Sequence, residues 1–128
     1  MSRTSAAEIQ VRMEIWRSFV GVLKSYAVVA SPPVSVHSVE VGRVADVVLD
    51  AGAAYMSFAF DAAQGRGSLR MLVASNVEVA EQFGLGADGT ISFSDASGDS
   101  PEELDHAAIR LLGSLTKAVN RDKIEVLA

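Results

Sequence analysis

The chain has 128 residues, 49% of them hydrophobic but only 6% aromatic, and carries a net charge of −5 with no cysteine. That length supports one domain with one core. The acidity, with no basic patch to override it, argues against nucleic acid or an anionic membrane as partner, and the missing thiols exclude disulfides and thiol catalysis and fit a cytoplasmic location.

Mean hydropathy is +0.26, high for a small soluble domain, so part of the apolar area is expected at an interface. No apolar run follows Arg3, and the longest stretch without Asp, Glu, Lys or Arg, 25–39, is interrupted by Pro32-Pro33. Neither a signal peptide nor a membrane span is expected.

Ser5-Ala6-Ala7-Glu8 has the form of a capping box, in which the serine hydroxyl accepts the N–H three residues on and the glutamate reaches back. From Ala6 to about Tyr26, Ile9, Met13, Trp16, Val20, Leu23 and Ala27 form one helical stripe. A second line, Val11, Ile15, Phe19, Val22 and Tyr26, widens it. The helix is therefore either sunk in its own core or shared with a second subunit. Arg12, Arg17 and Lys24, interleaved with Glu8 and Glu14, read as solvated faces. Ser31-Pro32-Pro33 ends the helix and forces an extended exit.

Between Val34 and Ala74 the period changes to two, with turns at Gly42-Arg43, Asp50-Ala51-Gly52 and Gln64-Gly65-Arg66-Gly67, which predicts four strands of an antiparallel meander. Ala45, Val47, Leu49, Met56, Phe58, Phe60, Leu69, Met71 and Val73 are expected to face the core. In the first strand Val34 and Val36 point one way and Val39 and Val41 the other, which predicts a bulge near Ser38. On the outer face Val48, Tyr55, Ala59 and Leu72 lie among Asp46, Ser57 and Arg70. A face so apolar is expected to be covered by a helix or another subunit.

Ser75-Asn76-Val77-Glu78 reads as a third capping box, opening a short helix that Gly84 closes. Asp88-Gly89 marks a turn and 90–94 a short strand. The small-residue stretch 95–99 leads to Ser100-Pro101-Glu102-Glu103, read as the cap of the last helix, with Pro101 where its missing N–H costs nothing. That helix has the core line Leu104, Ala108, Leu111, Leu115 and Val119. Arg121 and Lys123 alternate with Asp122 and Glu125, and the tail 122–128 either frays or adds an edge strand through 124–126.

The expected architecture is a single α+β domain, residues 1–128: an antiparallel sheet of five or six strands packed with long N-terminal and C-terminal helices and a short inserted helix. This order of elements, though no residue motif, is similar to that of small acidic dimeric secretion chaperones.

Several short motifs have plainer explanations. Gly84-Leu85-Gly86-Ala87-Asp88-Gly89 matches a dinucleotide fingerprint letter for letter, but no βαβ unit surrounds it, so a turn is expected. Gly65-Arg66-Gly67 offers backbone N–H groups and one guanidinium to an anion, or is simply a hairpin tip. Residues 95–99 carry calcium-like oxygens with the glycine misplaced, and read as a solvated loop. His106, on the face opposite the leucines, reads as exposed and inert. His37, with Asp46 or Glu40 as carboxylate, is the weak candidate for a general base. No metal or other cofactor is implied by two distant histidines without cysteine.

The leading functional expectation is a non-catalytic protein-interaction or assembly module that pairs with itself or a protein partner through Ile15, Phe19, Tyr26, Val48, Tyr55 and Leu72. The alternative is a small-molecule-binding domain with an apolar pocket between sheet and helices, lined by Trp16, Phe58, Phe60 and Met71 and gated near Arg66.

Overall fold

A computed structural model describes residues 5–31, 33–74, 76–95 and 98–127. Helix α1 (Ala6–Ala27) is capped at Ser5, whose Oγ accepts the Glu8 N–H at 3.1 Å. Glu8 lies 3.9 Å from Arg12 one turn on. After α1 the Val34 N–H returns to the Ala27 carbonyl at 3.2 Å, and this bond turns the chain into the sheet.

Seven strands follow: β1 (Ser35–Val41), β2 (Val44–Asp50), β3 (Ala54–Asp61), β4 (Arg66–Val73), β5 (Asn76–Leu85), β6 (Thr90–Asp95) and β7 (Gly98–Glu103). Each pairs antiparallel with the next, so the sheet is one meander in sequence order. Helix α2 (Leu104–Leu127) closes the chain and packs beside α1.

Both helices cover the same face of the sheet, where alternation aims Val47, Leu49, Met56, Phe58, Phe60, Leu69, Phe83 and Ile91 inward. Trp16 of α1 stacks on Phe60 at 5.0 Å and on Phe83 at 6.0 Å. From α2 come Ala107, Ala108, Leu111, Leu112, Leu115, Ala118 and Val119, all buried. Removing each large side chain from water contributes roughly 1.5–3 kcal/mol, which makes this two-layer core the main source of stability.

The sheet has seven strands, not five or six, and the short inserted helix is not seen. The segment 76–85 is β5 because Phe83 and Leu85 alternate into the core while its backbone pairs with β4 and β6. An extra residue there hides the period: Met71 opposes Val79 but Leu72 opposes Val77, so Glu78 bulges and Val77 turns outward. Ser75 lies outside the described residues. Without the inserted helix, the likeness in element order to secretion chaperones also falls away.

Residues 100–103 belong to β7, and α2 begins only at Leu104. The expected cap is misplaced because Glu102 opposes the buried Ile91 across the β6–β7 ladder. The β1–β2 register runs unbroken from Ser35 to Val41, so there is no bulge near Ser38. Residues 124–126 continue α2 and form no edge strand.

Candidate functional site

Among the described residues, no layer covers the face of the sheet turned away from the helices. Val39 (59% exposed), Val41 (73%), Val44 (46%), Tyr55 (39%) and Val77 (55%) stand on it, with Val48 and Leu72 half-buried among them. Cross-strand register arranges its residues in rows. One row runs Ser35, Asp50, Tyr55, Leu72, Val77; the next His37, Val48, Ser57, Arg70, Ala80; the next Val39, Asp46, Ala59, Ser68, Gln82. β-Branched side chains gather on β1 and β2 as Val39, Val41, Val44 and Val48, while β4 and β5 mix Arg66, Arg70, Leu72, Val77 and Gln82 with the small Ser68, Ala80 and Gly84.

The charges on this face are mixed. Asp46 and Asp50 stand on β2 and Arg66 and Arg70 on β4, and the intervening β3 contributes Tyr55, Ser57, Ala59 and, directly opposite Arg66, Asp61. Among the described residues Asp46, Arg66 and Arg70 form no ion pair, the pairs present being Glu8–Arg12, Arg17–Glu40, His106–Glu102 and Arg110–Glu102. An open depression of about 450 Å³ lies on this face, bordered by Val44, Ala59, Arg66, Ser68 and Gln82.

The sheet edges are built differently. Glu40 of β1 opposes the buried Ala45 and therefore points to the helix side, where Arg17 donates to it from Nη2 at 2.7 Å and Nε at 3.1 Å. These hydrogen bonds and the guanidinium charge hold the Glu40 carboxyl below the usual glutamate range and raise Arg17. At the other edge Glu102 of β7 accepts from Arg110 Nη2 at 2.7 Å and Nε at 3.1 Å, and lies 3.1 Å from His106 Nδ1. Arg110 also sits over the Phe93 ring at 5.0 Å. An inward charge on an edge strand, held by an arginine, discourages another strand from adding there.

Trp16, Phe58, Phe60 and Met71 come together, but as buried residues, the rings against one another; Arg66 is on the opposite face, so no single pocket unites the five. Of the expected interface residues, Val48, Tyr55 and Leu72 share the open face, and Tyr55 and Leu72 are direct cross-strand partners. Ile15 and Tyr26 are half-buried on the helical layer, and Phe19 is fully buried within its own chain and has no surface to offer.

His37 and Asp46 share the open face on adjacent strands but oppose Val48 and Val39 and form no hydrogen bond with each other among the described residues. Glu40 is committed to Arg17 on the other side. His106 is exposed, as expected, yet paired with Glu102. No cluster of three or more His, Asp or Glu side chains that could hold a metal occurs among the described residues. Nor is any helix among them long and apolar enough to cross a membrane.

The glycine motif 84–89 is a hairpin joining β5 to β6. The Gly86 N–H reaches the Thr90 carbonyl at 2.9 Å, and Asp88 Oδ1 accepts from Thr90 Oγ1 at 2.7 Å, which lowers the Asp88 carboxyl below its usual range. A strand on each side of the turn leaves no helix N-terminus to receive a pyrophosphate. At Gly65-Arg66-Gly67 the hairpin is pinned from behind: Arg12 Nη1 donates to the carbonyls of Ala62 at 3.1 Å and Ala63 at 3.0 Å. Residues 96–97 of the calcium-like stretch lie outside the described residues, while Gly98 and Asp99 pair with Asp95 and Ser94 in the β6–β7 ladder.

Sequence reasoning missed the roles of Arg12 and Arg17, because a helical arginine among acidic neighbours looks solvated, and gave no signal for Arg110. The phase change in β1 was the available signal. It marks an inward Glu40 with its valines turned outward. Compared with known proteins, the chain matches no protein family, no curated protein and no solved structure.

Proposed function

We propose that this chain is a non-catalytic interaction module that associates with a second copy of itself through the open face of its sheet. One observation carries the reading: a sheet face bearing Val39, Val41, Val44, Tyr55 and Val77 in the open lies between two edges occupied by arginine-held glutamates. Such a face loses free energy to water unless something apolar covers it, and the guarded edges direct association to the face. Five strands spaced at about 4.8 Å and about seven residues long present roughly 600 Å² of plane. That is close to the scale of stable interfaces, which bury about 800 Å² per partner. The cysteine-free composition fits the cytoplasm as the place where the module works.

Sedimentation equilibrium tests the reading. The unmodified chain is expected at twice its 13.5 kDa mass, Tyr55→Glu at the single-chain mass, and Val29→Glu, in the exposed turn after α1, still at the doubled mass. A single-chain mass for the unmodified protein, or a dimer lost in Val29→Glu and kept in Tyr55→Glu, counts against it.

A further inference from the structure

The glycine motif 84–89 holds the chain's one Asp-Gly link, Asp88-Gly89, and the chain has no Asn-Gly link. Glycine carries no side chain to shield its nitrogen or to restrict its rotation, so of all the main-chain nitrogens that follow an aspartate, that of Gly89 is best able to reach the carboxyl before it. We infer that Asp88 is a latent site of isoaspartate formation, kept unreacted by the folded turn and open to rearrangement once Thr90 and Gly86 cease to hold its carboxyl.

The rearrangement needs no reagent other than water. The Gly89 nitrogen attacks Asp88 Cγ: the N–Cγ bond forms, a Cγ–O bond of the acid breaks, and that oxygen leaves as water with the acid's proton and the nitrogen's. Water then adds to the succinimide so formed. Opening at Cγ restores aspartate. Opening at the main-chain carbonyl leaves Gly89 joined through Cγ, with the Asp88 methylene in the backbone and the α-carboxylate free. The turn is then one backbone atom longer, and Thr90 has lost its acceptor.

The folded turn opposes each part of this reaction. The Gly86 N–H donates to the Thr90 carbonyl at 2.9 Å and the Gly89 N–H to the Gly86 carbonyl at 3.1 Å; with Gly89 at φ +82°, this is a type I turn closed by a glycine bulge. The attacking nitrogen is thereby tied to Gly86 and not free to turn toward its own neighbour's side chain. The carboxyl is held as well. Asp88 Oδ1 accepts from Thr90 Oγ1 at 2.7 Å and from the Thr90 N–H at 3.2 Å, and these donors hold the acid below its usual range, whereas water leaves only from the protonated acid. Gly86 makes room for the arrangement, since a Cβ there would stand 2.6 Å from Asp88 Oδ1 and 3.0 Å from Thr90 Oγ1.

The full chain, incubated in mild acid and then digested with an endoproteinase that cuts before aspartate but not before isoaspartate, reports the reaction, since product and reactant have the same mass. The folded chain is expected to accumulate isoaspartate at position 88 about tenfold more slowly than the same chain unfolded in guanidinium chloride. Thr90→Val, which removes the hydroxyl donor and keeps the branched shape, is expected to react about fivefold faster than the unmodified chain, and Thr90→Ser at the unmodified rate. Gly86→Ala displaces only the far end of Asp88 and leaves both Thr90 donors in place. It too is expected to react faster, with circular dichroism showing it folded, so it decides the matter should Thr90→Val fail to fold. The inference is overturned if the unfolded chain forms no isoaspartate at position 88, if folded and unfolded chains react equally fast, or if the folded variants at Thr90 and Gly86 all keep the unmodified rate.

Discussion

Gly67 marks the tightest point of the hairpin that carries Arg66. A Cβ there would come within 2.5 Å of Phe83 Cζ and closer still to the Ala59 carbonyl. Backbone and a buried ring cannot both retreat, so Gly67→Ala is expected to destabilise the fold by about 1–3 kcal/mol, read as a lower urea midpoint at unchanged slope. Glu40 makes a different kind of contribution. Its hydrogen bonds from Arg17 lower its folded pKa, so the stabilisation is complete above the ordinary glutamate pKa and is lost as the pH falls through the depressed folded value. The stability gap between the unmodified chain and Glu40→Gln is accordingly expected at neutral pH and should close in acid. A gap that persists at a pH where Glu40 is protonated would assign the effect to packing.

Among the elements, the two edge strands solve one problem in one way. β1 and β7 each turn a glutamate toward the helices, and each is met by an arginine from the helix that lies over it. β7 adds Pro101, which brings no N–H to the ladder. Replacing both glutamates, in Glu40→Val with Glu102→Val, removes the inward charges from both edges. Light scattering is expected to find species larger than a dimer; an unchanged mass would mean that other features guard the edges.

Sequence reasoning met its limit at β5 and β7. The α1 stripe and its Ser5 cap, the meander from β1 to β4 and the core line of α2 were all legible, because single-period patterns and turn glycines determine them. β5 was not, since the bulge at Glu78 breaks its alternation and Ser75-Asn76-Val77-Glu78 imitates a cap. β7 was hidden by Ser100-Pro101-Glu102-Glu103 in the same way. In both segments, pairing with neighbouring strands overrode a local preference for helix. The open face was legible as half-apolar; that the helices cover only the opposite face was not, because strand alternation does not say which side a helix takes.

On the scale of the whole molecule, both helices spend their apolar surface on one side of a seven-stranded sheet and leave the other bare. The high hydropathy of the chain is explained in part by that bare side, where valines from β1 and β2 and Val77 of β5 face water. We propose that a second copy covers it. Because the chain has no cysteine, a single thiol reports on this directly: Ala59→Cys, exposed near the centre of the face, can be labelled with a maleimide across a dilution series. Slow labelling is expected at high protein concentration and rapid labelling once dilution separates the copies; labelling equally rapid at every concentration would mean that no second copy covers the face.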